Sequence, residues 1–162
     1  MSKVLISVIM GSQSDLGTVK ETLKILKDFK VGFEVKVLSA HRIPKELMSY
    51  VKAAPKRGIK VFIAAAGGAA ALAGVIAAHS PLPVIGVPIE TKALQGIDSL
   101  LSTVQMPSGV PVACVTIGKT GAKNAAHLAL EILGLSDKKL QQKIIRCRKR
   151  QAKKIGQIKL KV

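Results

Sequence analysis

The feature that most constrains this chain is a regular alternation of short apolar runs with stretches whose apolar residues recur every three or four positions. Val4 to Met10 is a run of seven residues, apolar but for Ser7. It is too short for a helix and reads as a buried parallel strand. From Leu16 the apolar positions are Leu16, Val19, Leu23 and Leu26, which is helical spacing. Val31 to Leu38 alternates through Phe33, Val35 and Val37 and predicts a second strand. Pro44 suits the first turn of a helix with Leu47, Val51 and Ala54 on one face. Lys60 to Ala66 predicts a third strand, followed by an Ala-rich segment to Ala78. Pro83 to Val87 predicts a fourth and Val112 to Ile117 a fifth. Residues 92–109 read as a functional loop with one short helix. Lys123 to Leu133 reads as a helix stopped by Gly134, and a last helix is expected from an N-cap at Ser136.

Strands alternating with helices predict a single α/β domain, a parallel sheet covered on both faces. With 162 residues the chain is long enough to bury a core without disulfides or metal. There is no Trp, one Tyr and three Phe, so that core is built from Ala, Val, Ile and Leu. Cys114 and Cys147 form no CxxC pair and read as buried thiols in a reducing compartment. The start is too soon interrupted for a signal peptide, and no apolar run reaches the length of a membrane helix. A cytoplasmic location is the resulting expectation.

The formal net charge is +17, but it is unevenly placed. Residues 138–161 carry eleven Lys/Arg and no acid, which leaves the rest only mildly basic. In that segment Leu140, Ile144, Cys147, Ile155 and Ile158 form a narrow apolar seam, continued by Gln151. A basic helix with one such seam is expected to dock on a neighbouring subunit. The rival is a nucleic-acid-binding arm. The lack of aromatics argues against single-strand binding, and nucleic acid is not the expected partner.

Ligands of such sheets bind outside the carboxyl ends of the strands, where three segments collect. Gly11-Ser12-Gln13-Ser14-Asp15 offers a sharp turn, two hydroxyls and the N–H groups of the following helix, an anion-binding arrangement. The same residues also serve as helix cap and turn formers, and spacing alone leaves both readings open. The segment is neither a dinucleotide fingerprint nor a Walker loop. In Ser39-Ala40-His41-Arg42, a histidine at a strand's end is both shielded and reachable, and imidazole titrates near neutrality as proton transfer requires. Arg42 can grip phosphate with two N–H groups, although a surface His-Arg pair in a turn remains the plainer alternative. Ala66-Gly67-Gly68-Ala69-Ala70 has no reactive side chain, but its bare backbone admits a carboxylate or CO2, or simply makes a tight turn. His79 and His127 read as structural.

Taken in order, these segments resemble one family. Met10-Gly11-Ser12-x-Ser14-Asp15, Ser39-Ala40-His41-Arg42-x-Pro44 and Ala66-Gly67-Gly68-Ala69-Ala70 are similar to the N5-carboxyaminoimidazole ribonucleotide mutases of purine synthesis, also called the catalytic subunit of phosphoribosylaminoimidazole carboxylase. The likeness continues through residues 83–88, 98–102, 104–107, 109–113 and 123–126. It implies a three-layer flavodoxin-like fold, a protruding C-terminal helix over 136–162 and a homo-octamer. It implies no metal or organic cofactor. The implied substrate is a ribonucleotide whose carboxylate moves from the exocyclic amine to ring carbon C4, through CO2 held in a closed pocket. By motif, His41 is implied as general acid and base. Ser12, Asp15 and Arg42 bind the ribose phosphate portion, with Ser14 and Ser39 nearby. Gly67, Gly68, Ala69 and Ala71 form the loop that holds CO2. The family's loop runs Gly-Ala-Ala-His-Leu-Pro-Gly, whereas this chain has Gly68-Ala69-Ala70-Ala71-Leu72-Ala73-Gly74. Ala71 thus replaces an active-site imidazole, and Ala73 a proline. That departure keeps two alternatives in view: a carboxylase using free CO2, and an impaired homologue acting as a binding protein. The carboxylases commonly carry Lys after the catalytic His, so Arg42 places this chain with the mutase branch.

Overall fold

The computed structural model describes residues 3–158. Five strands form one parallel sheet: β1 (Val4–Met10), β2 (Gly32–Val37), β3 (Val61–Ala66), β4 (Val84–Pro88) and β5 (Ala113–Cys114). Their spatial order is β2-β1-β3-β4-β5, the flavodoxin-like order. Six α-helices connect and flank them: α1 (Leu16–Asp28), α2 (Pro44–Ala53), α3 (Leu72–His79), α4 (Ile97–Val104), α5 (Gly118–Gly134) and α6 (Lys138–Gly156).

The period-two character of the strands divides the core between the two faces. Ile6, Val8 and Met10 of β1 join Ile63 of β3 and the helices α1 and α5 in one cluster. Ile9 of β1 and Phe62 of β3 join α2 and α3 in the other. The Thr22 hydroxyl of α1 donates to the Ala122 carbonyl of α5 at 2.7 Å, so even the polar groups between these helices are paired. On the other face, the fully buried Ser7 meets the Tyr50 hydroxyl of α2 at 2.6 Å.

Three element boundaries differ from expectation. The fifth strand is two residues long rather than six. Pro111 has no N–H to give, only Ala113 and Cys114 pair with β4, and the chain leaves the sheet soon after Val115 donates to the Gly86 carbonyl. Helix α5 begins five residues early, at Gly118 rather than Lys123. Gly121 lets the first turn press against the chain, since a Cβ would lie 1.6 Å from the Thr116 carbonyl oxygen. The cap of α6 is Asp137, not Ser136. The Asp137 carboxylate accepts from the N–H groups of Lys139 and Leu140 at 2.9 and 3.0 Å, while Ser136 donates back to the Leu133 carbonyl.

The expected C-terminal helix ends at Gly156, with Ile158 past its end and residues 159–162 outside the described residues, and the apolar seam is divided. Leu140 and Ile144 are buried in this chain's own core, with Cys147 against it, whereas Ile155 and Ile158 are 70% and 65% exposed. No helix among the described residues is long and apolar enough to cross a membrane.

Candidate active site

The carboxyl ends of β1, β3 and β4, with the turn that follows β2, surround a cavity of about 390 Å³. It lies where β1 is flanked by β2 on one side and β3 on the other, the point at which the winding of the sheet reverses. Ser12, Ser14, Asp15, Ser39, His41, Arg42, Gly67, Ala69 and Ala71 all line it.

The turn after β1 is built as a reciprocal cap. The Ser12 hydroxyl accepts from the Ser14 N–H at 3.3 Å and from the Ser14 hydroxyl at 2.9 Å. The Asp15 carboxylate accepts the Ser12 N–H at 3.1 Å. The N–H groups of Ser12, Ser14 and Asp15 are used within the turn, so these three are not among the amides open to an anion. What it offers a ligand is hydroxyl groups and one carboxylate. Burial pushes the Asp15 carboxyl above its ordinary value, and the hydrogen bonds from the Ser12 N–H and the Ser14 hydroxyl only partly oppose this.

The turn after β2 is held by Ser39, whose hydroxyl accepts the Arg42 N–H at 3.3 Å and whose carbonyl accepts the Ile43 N–H at 3.1 Å. His41 and Arg42 are exposed at the cavity mouth. The expectation that His41 is reachable is met. The expectation that it is shielded is not, because its side chain is exposed among the described residues.

Gly68 lies outside the lining. It sits in the left-handed region at φ +69°, where a side chain would be strained. Its N–H donates to the Ser99 hydroxyl of α4 at 3.0 Å. Ala71 presents only a methyl group to the cavity where the resembled family has an imidazole.

Ile89, Glu90 and Thr91 also line the cavity and were not singled out in the sequence. They follow β4, so the strand-end rule that located the other three segments also covers them. The Thr91 hydroxyl is held by Asp98 at 2.8 Å. His79 and His127 lie outside the cavity lining: His79 Nδ1 is 2.8 Å from the Val75 carbonyl, and His127 packs edge-on against Phe29.

Strand order and cavity define a flavodoxin-like α/β protein with a polar small-molecule pocket at the sheet's switch point. Comparison with known proteins narrows the class. A family model described as AIR carboxylase matches residues 5–154. The chain is 58% identical over 139 residues to the N5-carboxyaminoimidazole ribonucleotide mutase of Pyrococcus abyssi, covering 86% of this chain and 79% of that protein. It is 55% identical over 140 residues to the enzyme of the same name from Bacillus subtilis, covering 86% of each. A crystal structure of Treponema denticola PurE superposes with a TM-score of 0.84 at 30% identity, covering 93% of each chain. The chain belongs to the AIR carboxylase family.

Proposed function

We propose that this chain is an N5-carboxyaminoimidazole ribonucleotide mutase, an isomerase of purine biosynthesis. The observation that carries the reading is the convergence of three chemically different loops on one cavity, in a chain 58% identical to a relative of that name. Serine hydroxyls and Arg42 suit a phosphate, His41 suits proton transfer, and a bare glycine turn suits CO2.

The reaction balances without a cofactor. His41 delivers a proton to the exocyclic nitrogen as the N–C bond breaks and CO2 is released. Ring carbon C4 then attacks the retained CO2, and the C4 proton returns to His41. Arg42 and the Ser12 and Ser14 hydroxyls take the phosphate. Asp15 would repel that phosphate and instead accepts from ribose hydroxyls. The N–H groups of Gly67 and Ala69 hold CO2. Because His41 is exposed in the single chain, retention of CO2 requires a cover. A neighbouring copy in a cytoplasmic homo-octamer supplies it, with the outer end of α6 docked on an adjacent subunit.

The test is a direct ultraviolet assay of the interconversion of the two carboxylated ribonucleotides by the purified chain. Turnover that is lost in His41→Asn supports the reading, and an inactive wild type refutes it. Ala71 favours one second reading, a carboxylase using free CO2. Supplying aminoimidazole ribonucleotide with bicarbonate in place of the carbamate separates the two.

A further inference from the structure

Gly68 is tied on both sides to one helix. Ser99 and Ser102 stand three positions apart on α4 and therefore share a face. Ser99 is fully buried. Its hydroxyl accepts the Gly68 N–H at 3.0 Å and donates to the Ile89 carbonyl at 2.7 Å. The Ser102 hydroxyl lies 2.8 Å from the Asp98 carbonyl and 3.3 Å from the Gly68 carbonyl, a donation shared between the two. The Ser99 hydroxyl thus joins the turn after β3 to the end of β4, two walls of the cavity. The Ile89 N–H, donating to the Ala66 carbonyl at 2.9 Å, closes the same junction.

The consequence lies in which amides remain free. With the Gly68 N–H turned toward α4, the N–H groups of Gly67 and Ala69 have no protein acceptor among the described residues, and both residues line the cavity. A glycine turn has no side chains to hold its peptide planes. The turn's own bonds, from the Ala70 N–H to the Gly68 carbonyl at 2.8 Å and from the Ala71 N–H to the Ala69 carbonyl at 2.7 Å, constrain the residues that follow; the Ser99 bond fixes the Gly68 N–H, and with it the orientation of the two flanking peptides.

We propose that Ser99 and Ser102 are positioning residues that lock the Gly68 peptide so that the flanking N–H groups retain CO2 between its release and its recapture. The proposal rests on the mutase reading. Neither serine lines the cavity. Removing the Ser99 hydroxyl deprives the part-buried Gly68 N–H and the buried Ile89 carbonyl of this partner, which loosens the turn.

The measurement is the partition of each turnover between the C4-carboxylated product and escaped CO2 with aminoimidazole ribonucleotide, on the full chain. In Ser99→Ala and Ser102→Ala the escaped fraction should rise several-fold and kcat fall about tenfold or more for Ser99, while KM for the ribonucleotide stays within about twofold. The phosphate and ribose grips lie on other loops. Ser102→Thr, which keeps the hydroxyl, should restore the wild-type partition. Ser102 is exposed, so its variants fold even where Ser99→Ala does not. An unchanged partition in Ser102→Ala, or a Thr variant as leaky as the Ala one, overturns the proposal. An inactive wild type overturns the mutase reading instead. In that event amide hydrogen exchange at Gly68 decides the positioning claim: about tenfold faster exchange in Ser102→Ala supports it, and an unchanged rate refutes it.

Discussion

Asp15 serves the turn and the ligand with the same carboxylate, and the two demands conflict. Its charge is held above its ordinary pKa by burial, so ionising it costs folding free energy. For a carboxyl raised in the folded state, stability falls as pH rises from the ordinary value through the folded one. Asn in its place keeps an acceptor for the Ser12 N–H and removes that cost. Asp15→Asn is therefore expected to melt no lower than wild type at pH 7 while KM for the ribonucleotide rises, a trade checked by thermal scans beside steady-state kinetics. Glu34 runs the other way. Burial raises its carboxyl, but hydrogen bonds from Tyr50 and Arg57, then the charges of Arg57 and Lys36, outweigh this and hold it below the ordinary 4.5. Tyr50 itself, through burial and then its bond to Glu34, is pushed up to about 12. A carboxyl held low stabilises above its unfolded value, and that stabilisation is lost as the pH falls through the folded one. Melting temperature should thus drop more steeply below about pH 4.5 in wild type than in Glu34→Gln. At this scale, the sequence discloses residues whose side chains carry chemistry. His41 and Arg42 were legible for that reason. Ser99 was not, because its partner Gly68 is 31 positions away and no local pattern joins them.

Among the elements, those fixed by local pattern were read correctly and those fixed by neighbours were not. The core of β1 follows from its short apolar run, and the amphipathic α1 from a periodicity near four residues. The short helix α4 was expected inside its loop. By contrast, β5 is limited by how far β4 can pair with it, and the start of α5 depends on a glycine meeting Thr116, both tertiary facts. Ser136 and Asp137 are adjacent and equally good caps, and only backbone geometry chooses between them. The choice of Asp137 gives a clean test. Asp137→Ala should cost about 1 kcal/mol and lower the melting temperature by about 2–4 °C, with activity unchanged, as followed by circular dichroism. The Ser136→Ala change should do much less.

Across the whole molecule, the parallel sheet with helices on both faces was legible from the order of elements alone. How copies assemble is not written in one chain's periodicity. The seam of α6 illustrates why: its first half is spent on this chain's core, and Ile155 and Ile158 are left outside. Helix α4 adds a second unpartnered apolar row, with Ile97, Leu101 and Val104 about half exposed. Unpaired apolar surface of this kind is where a partner would dock. If α6 docks on an adjacent subunit, the double change Ile155→Glu and Ile158→Glu should reduce the assembly mass in sedimentation while leaving the melting of each chain nearly unchanged. The central claim is that a pocket with His41 as its proton carrier still moves the carboxylate although Ala71 stands where the resembled family has an imidazole. The direct test is the ultraviolet interconversion assay on wild type, His41→Asn and Ala71→His side by side. The account predicts turnover in wild type, none in His41→Asn, and faster turnover in Ala71→His. A wild type without turnover, or a His41→Asn variant as active as wild type, would contradict it.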